Sequence, residues 1–402
     1  MAKLGFISDR DEKMLQVLIC QRFAVQGKDN FLNMSRYLDA NEQTLRVWFD
    51  RPVDWREINR ALCELAMSRP PRYAGLDCSF VNKAGDQTYG VAKFWDGSQS
   101  KAHKGLEICC LSLFDPDTGE AYTLDVRQTP ADLAAKNLDD EGQYTRMDFY
   151  LEALDALPKS VSHVAADSFF AKNKTFRAVE KLQKRLVTKL RSDANLRYQA
   201  TEEEKKDHRK ENKRGRNLKY TGKVDWQNID EDRWKTLQSP ENQTHLKIRT
   251  AVLNSPKFER DLRVVYVVDT RNGNDWRIAS DDLETDPIEI LKIYEGRFQM
   301  EYIFRDAKQH SGLTDEQTRK QQRLNFHFNL SLTALNFAKA EMKIYQTTRS
   351  VADYARLVKN EWTLNLFKSN FDPNAEFGLN EKTQQKIREI GFIHKSCNTF
   401  SP

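Results

Sequence analysis

The six cysteines of this chain, Cys20, Cys63, Cys78, Cys109, Cys110 and Cys397, include no C-x-x-C pair, and no histidine stands at zinc-finger spacing from them. That scatter leaves no zinc ligand set and reads as small buried hydrophobes in a reducing compartment. No uninterrupted apolar run approaches the roughly 18 to 20 residues that a membrane span requires. The opening stretch, MAKLGFISDRDEK, lacks a basic segment leading into an apolar one, so no secretory signal is evident. A cytoplasmic protein without a membrane partner is expected. There is no G-x(4)-G-K and no G-x-G-x-x-G, which leaves a nucleotide-driven enzyme without its phosphate cradle, and no internal repeat is visible. Net charge is small too: at +5 over 402 residues it does not by itself argue for nucleic acid.

Charge distribution says more than the total. Nine Lys or Arg fall between Lys172 and Arg197 against Glu180 and Asp193, and nine between Lys205 and Lys223 against Asp207 and Glu211, so the middle of the chain is flanked by basic stretches. Such runs are ordinarily solvated faces, but they can also neutralise phosphates, and Lys213, Arg214 and Arg216 are the candidates here. With 39% hydrophobic and 31% charged residues, the chain reads as a polar globular protein with room for two or three subdomains.

Residues 1–70 read as helical. Apolar periodicity runs through Met14, Leu15, Leu18 and Phe23, a second stretch covers 31–38, and a third follows Asn41 over 42–49. Asp54 with Glu57 three positions later marks a fourth helix start. Short helices joined by tight turns suit a helix-turn-helix module, with Arg46 on the exposed face of its third helix, and equally a plain helical bundle. Pro70 and Pro71 close the region. RYAGLDCSFV then alternates as a strand with Asp77 in its middle, followed by strand-like runs in TYGVAKFWDG, GLEICCLSLFD and AYTLDV. A helix over 144–157 leads to a strand over 161–166 that ends at Asp167, either a ligand position at a strand end or a cap for the next helix. RLVTK, at 185–189, is a fifth strand. Beyond it, 201–223 reads as a basic loop, and HLKIRTAVLN with LRVVYVVDT as a hairpin running to the turn at Asn272, Gly273 and Asn274. Further helices are expected over 315–345, 351–367 and 381–390.

One stretch organises the rest. Residues 294–308, YEGRFQMEYIFRDAK, lie within an expected helix over 288–310, where Tyr294, Arg297, Glu301 and Lys308 fall within an arc of roughly 60°. A carboxylate between two cations could be an ordinary i,i+4 ion pair. The full spacing, Y-x-x-R-x-x-x-E-x(6)-K, resembles the last catalytic motif of bacterial insertion-sequence transposases with a DDE core. That resemblance spans about 72–335 and implies an α/β fold: an RNase H-like mixed five-stranded sheet with flanking helices, a β-rich insertion before the glutamate helix, and a helical N-terminal domain. It divides the chain into a DNA-binding region at 1–70, a catalytic core at 71–195 and 287–346, an insertion at 196–286 and a C-terminal helical region at 347–402.

The resemblance further implies that Asp77, Asp167 and Glu301 hold two Mg²⁺ ions, with Mn²⁺ as a substitute and Asp77 as the bridging ligand. Tyr294, Arg297 and Lys308 would hold DNA phosphates. Trp276 is the candidate to stack a flipped base should the second strand be cut through a hairpin, ahead of Trp226 and Trp234. The implied reaction is cleavage at transposon terminal inverted repeats and joining of the 3′-hydroxyl to target DNA, by a homodimer at the nucleoid. Two departures touch the hairpin role: Phe298 stands where tryptophan is frequent, and only Thr270, Arg271 and Asn272 precede Trp276. A non-cutting DNA-binding regulator, or a metal-dependent nuclease without strand transfer, are the alternatives. His310 and His327 could approach the implied metals, but are expected to be structural or to contact DNA.

Overall fold

The computed structural model describes residues 8–134, 142–211, 216–346, 348, 350–369 and 388. The chain forms two compact units, one of Met1–Pro70, Cys78–Lys136 and Met300–Pro402, the other of Pro71–Asp77 and Asn137–Gln299. One strand serves both, and the division falls between Asp77 and Cys78.

Four helices come first, each started by a local side-chain acceptor. In α1 (Asp9–Ala24) Ser8 accepts from the Asp11 amide, and Asp9, Asp11 and Glu12 fill the first turn, where the helix dipole favours negative charge. The short α2 (Phe31–Met34) is capped by Asn30, α3 (Glu42–Phe49) by Asn41, and α4 (Trp55–Ala66) by Asp54, which accepts from the Glu57 amide at 3.1 Å. The strands β1 (Tyr73–Asn82), β2 (Ala92–Asp96), β3 (Lys101–Phe114) and β4 (Ala121–Gln128) follow. Next come α5 (Arg146–Leu151), opened by a Thr145–Asp148 capping box, β5 (His163–Ala166), α6 (Asn173–Lys181), β6 (Arg185–Leu190) and β7 (Arg197–Gln199). Then come α7 (Glu202–Glu211), β8 (Tyr220–Lys223), β9 (Lys235–Leu237), β10 (Leu246–Ser255), β11 (Arg260–Asp269) and β12 (Asp275–Ser280). The last described elements are α8 (Pro287–Gly296), α9 (Phe298–His310), α10 (Gln321–Tyr345) and α11 (Val351–Ser369).

In the first unit β3 lies beside β1 and carries both β2 and β4 as antiparallel partners. The helix α10 buries sixteen residues, and it satisfies the open side of β4 with side chains instead of another strand. Asn336 accepts from the Thr123 amide at 2.9 Å and donates to the Thr123 carbonyl at 2.7 Å and to Asn59 of α4 at 2.9 Å. Lys339 donates to the Ala121 carbonyl at 2.8 Å. Covering a strand edge this way leaves buried polar groups dependent on one residue. Asn336→Leu is therefore expected to cost roughly 2–4 kcal/mol, since the Thr123 amide and carbonyl lose their partner out of reach of water. Urea unfolding of the variant against the wild type measures it.

In the second unit β1, β5 and β6 run parallel, with β5 between the other two. The sheet continues from β6 through β12, β11 and β10 as an antiparallel run, with β9 and β7 on β10, and β8 beyond β7. The expected hairpin is thus present as β10–β11, and β12 ties it to the parallel strands.

Three expectations are corrected. The helix over 288–310 is two helices meeting at Arg297: the amide of Arg297 donates to the Tyr294 carbonyl at 3.0 Å, a tighter link than the α ladder, after Gly296, a poor helix former. The start of the basic loop is helical, because Thr201 and Glu204 form a reciprocal capping pair (2.8 and 3.2 Å) and acidic residues precede basic ones along α7. The long helix begins at Gln321, not near 315, because Glu316 there turns back to accept from the Thr318 amide and to meet His327. The expected helix over 381–390 lies, apart from Arg388, outside the described residues. Among the described residues no helix is long and apolar enough to cross a membrane, and the described cysteines are free thiols.

Candidate active site

The second unit gathers four of the residues singled out above. The pairing of β1 with β5 sets Leu76 opposite Ala166, which are followed by Asp77 on β1 and by Asp167 just past the end of β5; paired strands lie about 4.8 Å apart in any sheet. Two separate contacts orient Asp167. Its carboxylate accepts from the Phe169 amide at 3.0 Å, capping the turn that follows, and its carbonyl accepts from the Thr188 hydroxyl at 2.9 Å. Of the two roles considered for Asp167, the cap is present, and it engages one carboxylate oxygen.

Arg297 stands against Asp77. It is only 7% exposed, donates from Nη1 to Asp77 Oδ2 at 3.0 Å, and lies over the rings of Phe298 (4.9 Å) and Tyr294 (5.5 Å). Two carboxylates brought together repel, and a guanidinium fork at low exposure is a fitting counter-charge. Tyr294 is 5% exposed. Burial pushes its phenol above the ordinary range, Arg297 pulls it back, and Asp167 and Asp77 push it up again, so it is a hydrogen-bond donor at neutral pH.

Glu301 and Lys308 belong to the first unit, both on α9 and both exposed. Lys308 lines a cavity of about 330 Å³ with Asp96, Gln99 and His103. Trp276 is half-buried on β12, opposite Val267. Trp226 and Trp234 pack with Tyr266, and Arg277 lies 4.4 Å over the Trp226 ring, so these two indoles are part of the packing of the β-rich segment. Arg46 is ion-paired with Glu42 and sits over Phe31 at 4.9 Å. Arg216 is exposed, while Lys213 and Arg214 lie outside the described residues. His327 is structural: it is buried between Arg22 (3.1 Å), Glu316 (3.2 Å) and the Leu313 carbonyl (3.3 Å). Burial pushes the His310 imidazole below its ordinary value.

Thr188 was not readable as a site residue. Only the register of β5 on β6, Ala166 opposite Thr188, brings its hydroxyl under Asp167, and a lone threonine in RLVTK carries no sign of that.

Among the described residues no group of three or more His, Cys, Asp or Glu is gathered closely enough to hold a metal ion. The pair Asp77 and Asp167 nonetheless suits a hard divalent cation, which takes carboxylate oxygens, and a cationic group already occupies the space beside Asp77. A family model described as DDE superfamily endonuclease matches residues 6–254, a span that includes both aspartates and ends before Glu301. Comparison with curated proteins gives no match.

Proposed function

The chain belongs to the DDE superfamily endonucleases, and from that premise we propose that it is a transposase that cuts DNA at element ends and joins the freed 3′-hydroxyl to a target. Members of this family act on DNA and generally use divalent metals. The observation that supports the reading is the register of β1 on β5, which pairs Leu76 with Ala166, the residues just before Asp77 and Asp167, together with Arg297 on Asp77. An RNase H-like core is the finer fold assignment. It is supported by the parallel run β1–β5–β6 in one unit and by the antiparallel β3–β4 pair beside β1 in the other.

Asp77, Asp167 and Glu301 are the proposed metal ligands. Two Mg²⁺ ions held by them would lower the pKa of an attacking water or hydroxyl and stabilise charge on the leaving oxygen. The chain's own residues do the rest. The Thr188 hydroxyl and the Phe169 amide fix Asp167 before substrate arrives, so little ordering is left for binding. Arg297 exchanges its carboxylate partner for a phosphate, which its fork can hold through two parallel hydrogen bonds. Tyr294, kept protonated, donates to a second phosphate oxygen. Lys308 contributes a point charge. Residues 1–70 are proposed to bind the terminal repeats, and 196–286 to be the insertion that meets the cut end, with Trp276 as the base platform of a hairpin pathway. Two subunits would pair the ends.

Incubation of the purified protein with supercoiled DNA carrying the element ends tests this. Mg²⁺-dependent cuts with 3′-hydroxyl ends, together with joined products, are expected. Cutting without joining would make it a nuclease on the same scaffold. No cutting in Mg²⁺ or Mn²⁺, or cutting that persists in excess chelator, would overturn the proposal.

A further inference from the structure

The β2–β3 hairpin of the first unit has two unlike faces. Its register sets Lys93 opposite Lys104 and Trp95 opposite Ala102, and residues directly opposite across antiparallel strands project to the same side. All four are exposed, whereas Phe94 and Asp96 are buried on the other side. Trp95 is 61% exposed, among the most exposed large apolar side chains of the chain. Single exposed aliphatics need no explanation, but an indole beside a cross-strand pair of lysines is a particular chemistry. The cores of protein interfaces are depleted of charge, and a second copy docked here would bring lysines against the same lysines. An aromatic face with a pair of cations beside it is what a single strand of nucleic acid takes, bases on the ring and phosphates on the ammonium groups. Lys104 is paired with Asp86 in an exposed contact of the weak kind, readily exchanged for a phosphate. The reverse face closes the cavity containing Asp96, His103 and Lys308, so the hairpin is built over the lysine already assigned to phosphate binding.

We infer that the β2–β3 hairpin is a DNA-contacting element in which Trp95 stacks on an unpaired base, with Lys93 and Lys104 on neighbouring phosphates to one side of it. The inference rests on the reading of this chain as a DNA-cutting protein and adds to it a preference for substrate with an unstacked nucleotide.

The test is fluorescence anisotropy with a labelled duplex and with the same duplex carrying a short unpaired gap. It uses the full-length wild type, Trp95→Ala, Trp95→Phe and the double variant Lys93→Gln/Lys104→Gln, each checked by circular dichroism and sedimentation. Trp95→Ala is expected to weaken gapped-DNA binding about ten-fold while leaving duplex binding within about two-fold, and Trp95→Phe to retain most of the affinity. The double lysine variant should weaken both and flatten the salt dependence. Unchanged gapped-DNA affinity in Trp95→Ala, or a change only in its sedimentation, overturns the inference. If the wild type cuts DNA while Trp95→Ala binds normally, the inference alone fails. If Trp95-dependent binding is seen without any metal-dependent cutting, the transposase reading fails and the hairpin assignment stands. A wild type that binds no DNA removes both.

Discussion

Asp77→Asn is expected to lower Mg²⁺-dependent DNA cutting on the order of 10³-fold or more, which corresponds to about 4 kcal/mol of transition-state stabilisation. The substitution keeps shape and one acceptor oxygen, so Arg297 still has an amide carbonyl to donate to, while the negative charge that a hard cation needs is gone. Asp167→Asn should match it for the same reason. There the separation of charge from structure is cleaner, because asparagine caps a turn as well as aspartate does and the Thr188 contact is to the backbone carbonyl. Glu301→Gln, on α9, belongs in the same series. Plasmid cutting gives the rates, and melting temperatures within a few degrees of wild type would assign the loss to chemistry and not to folding. Activity that survives either aspartate substitution would remove that residue from the site.

Arg297→Ala should have the second largest effect, first on stability. Its guanidinium is a cation set against Asp77, and removing one member of a largely buried pair costs the other part of its compensation. A loss of about 2–4 kcal/mol follows, somewhat below the usual cost for a fully buried pair because Asp77 keeps some solvent access. Added Mg²⁺ or Mn²⁺ should then raise the melting temperature of Arg297→Ala more than that of the wild type, because the ion replaces the missing charge. Arg297→Lys should fall between the two, keeping the charge but not the planar fork or the stack on Tyr294 and Phe298. Scanning fluorimetry across a metal titration reads all three. Identical metal responses in the variant and the wild type would show that Arg297 does not balance the aspartates.

How far the chain could be read in advance follows from the range of each signal. The N-terminal helices were legible because their information is local: Asn41 and Asp54 cap where their side chains predict, and the apolar spacing of Leu15, Leu18 and Phe23 buries those residues. The strand that carries Asp77 and the strand that ends just before Asp167 were legible by composition as well. Their adjacency was not, since it depends on a parallel register between segments 90 positions apart in the chain, which no short-range pattern encodes. Thr188 was hidden for the same reason. The break at Arg297 was missed because the apolar period runs straight through Gly296, and α7 because its acidic and basic residues were weighed as a net charge and not as the two ends of a helix. Nothing in the run FWDG sets Trp95 apart from an ordinary strand residue; its exposure beside the Lys93–Lys104 pair depends on the hairpin register.

The central claim is that Asp77 and Asp167 serve one metal centre. It is tested most directly by titrating Mn²⁺ into the wild type, Asp77→Asn and Asp167→Asn and following the free ion by electron paramagnetic resonance. The account predicts saturable binding in the wild type that is lost in both variants, with the fold of each intact. Equal Mn²⁺ binding in all three proteins would contradict it.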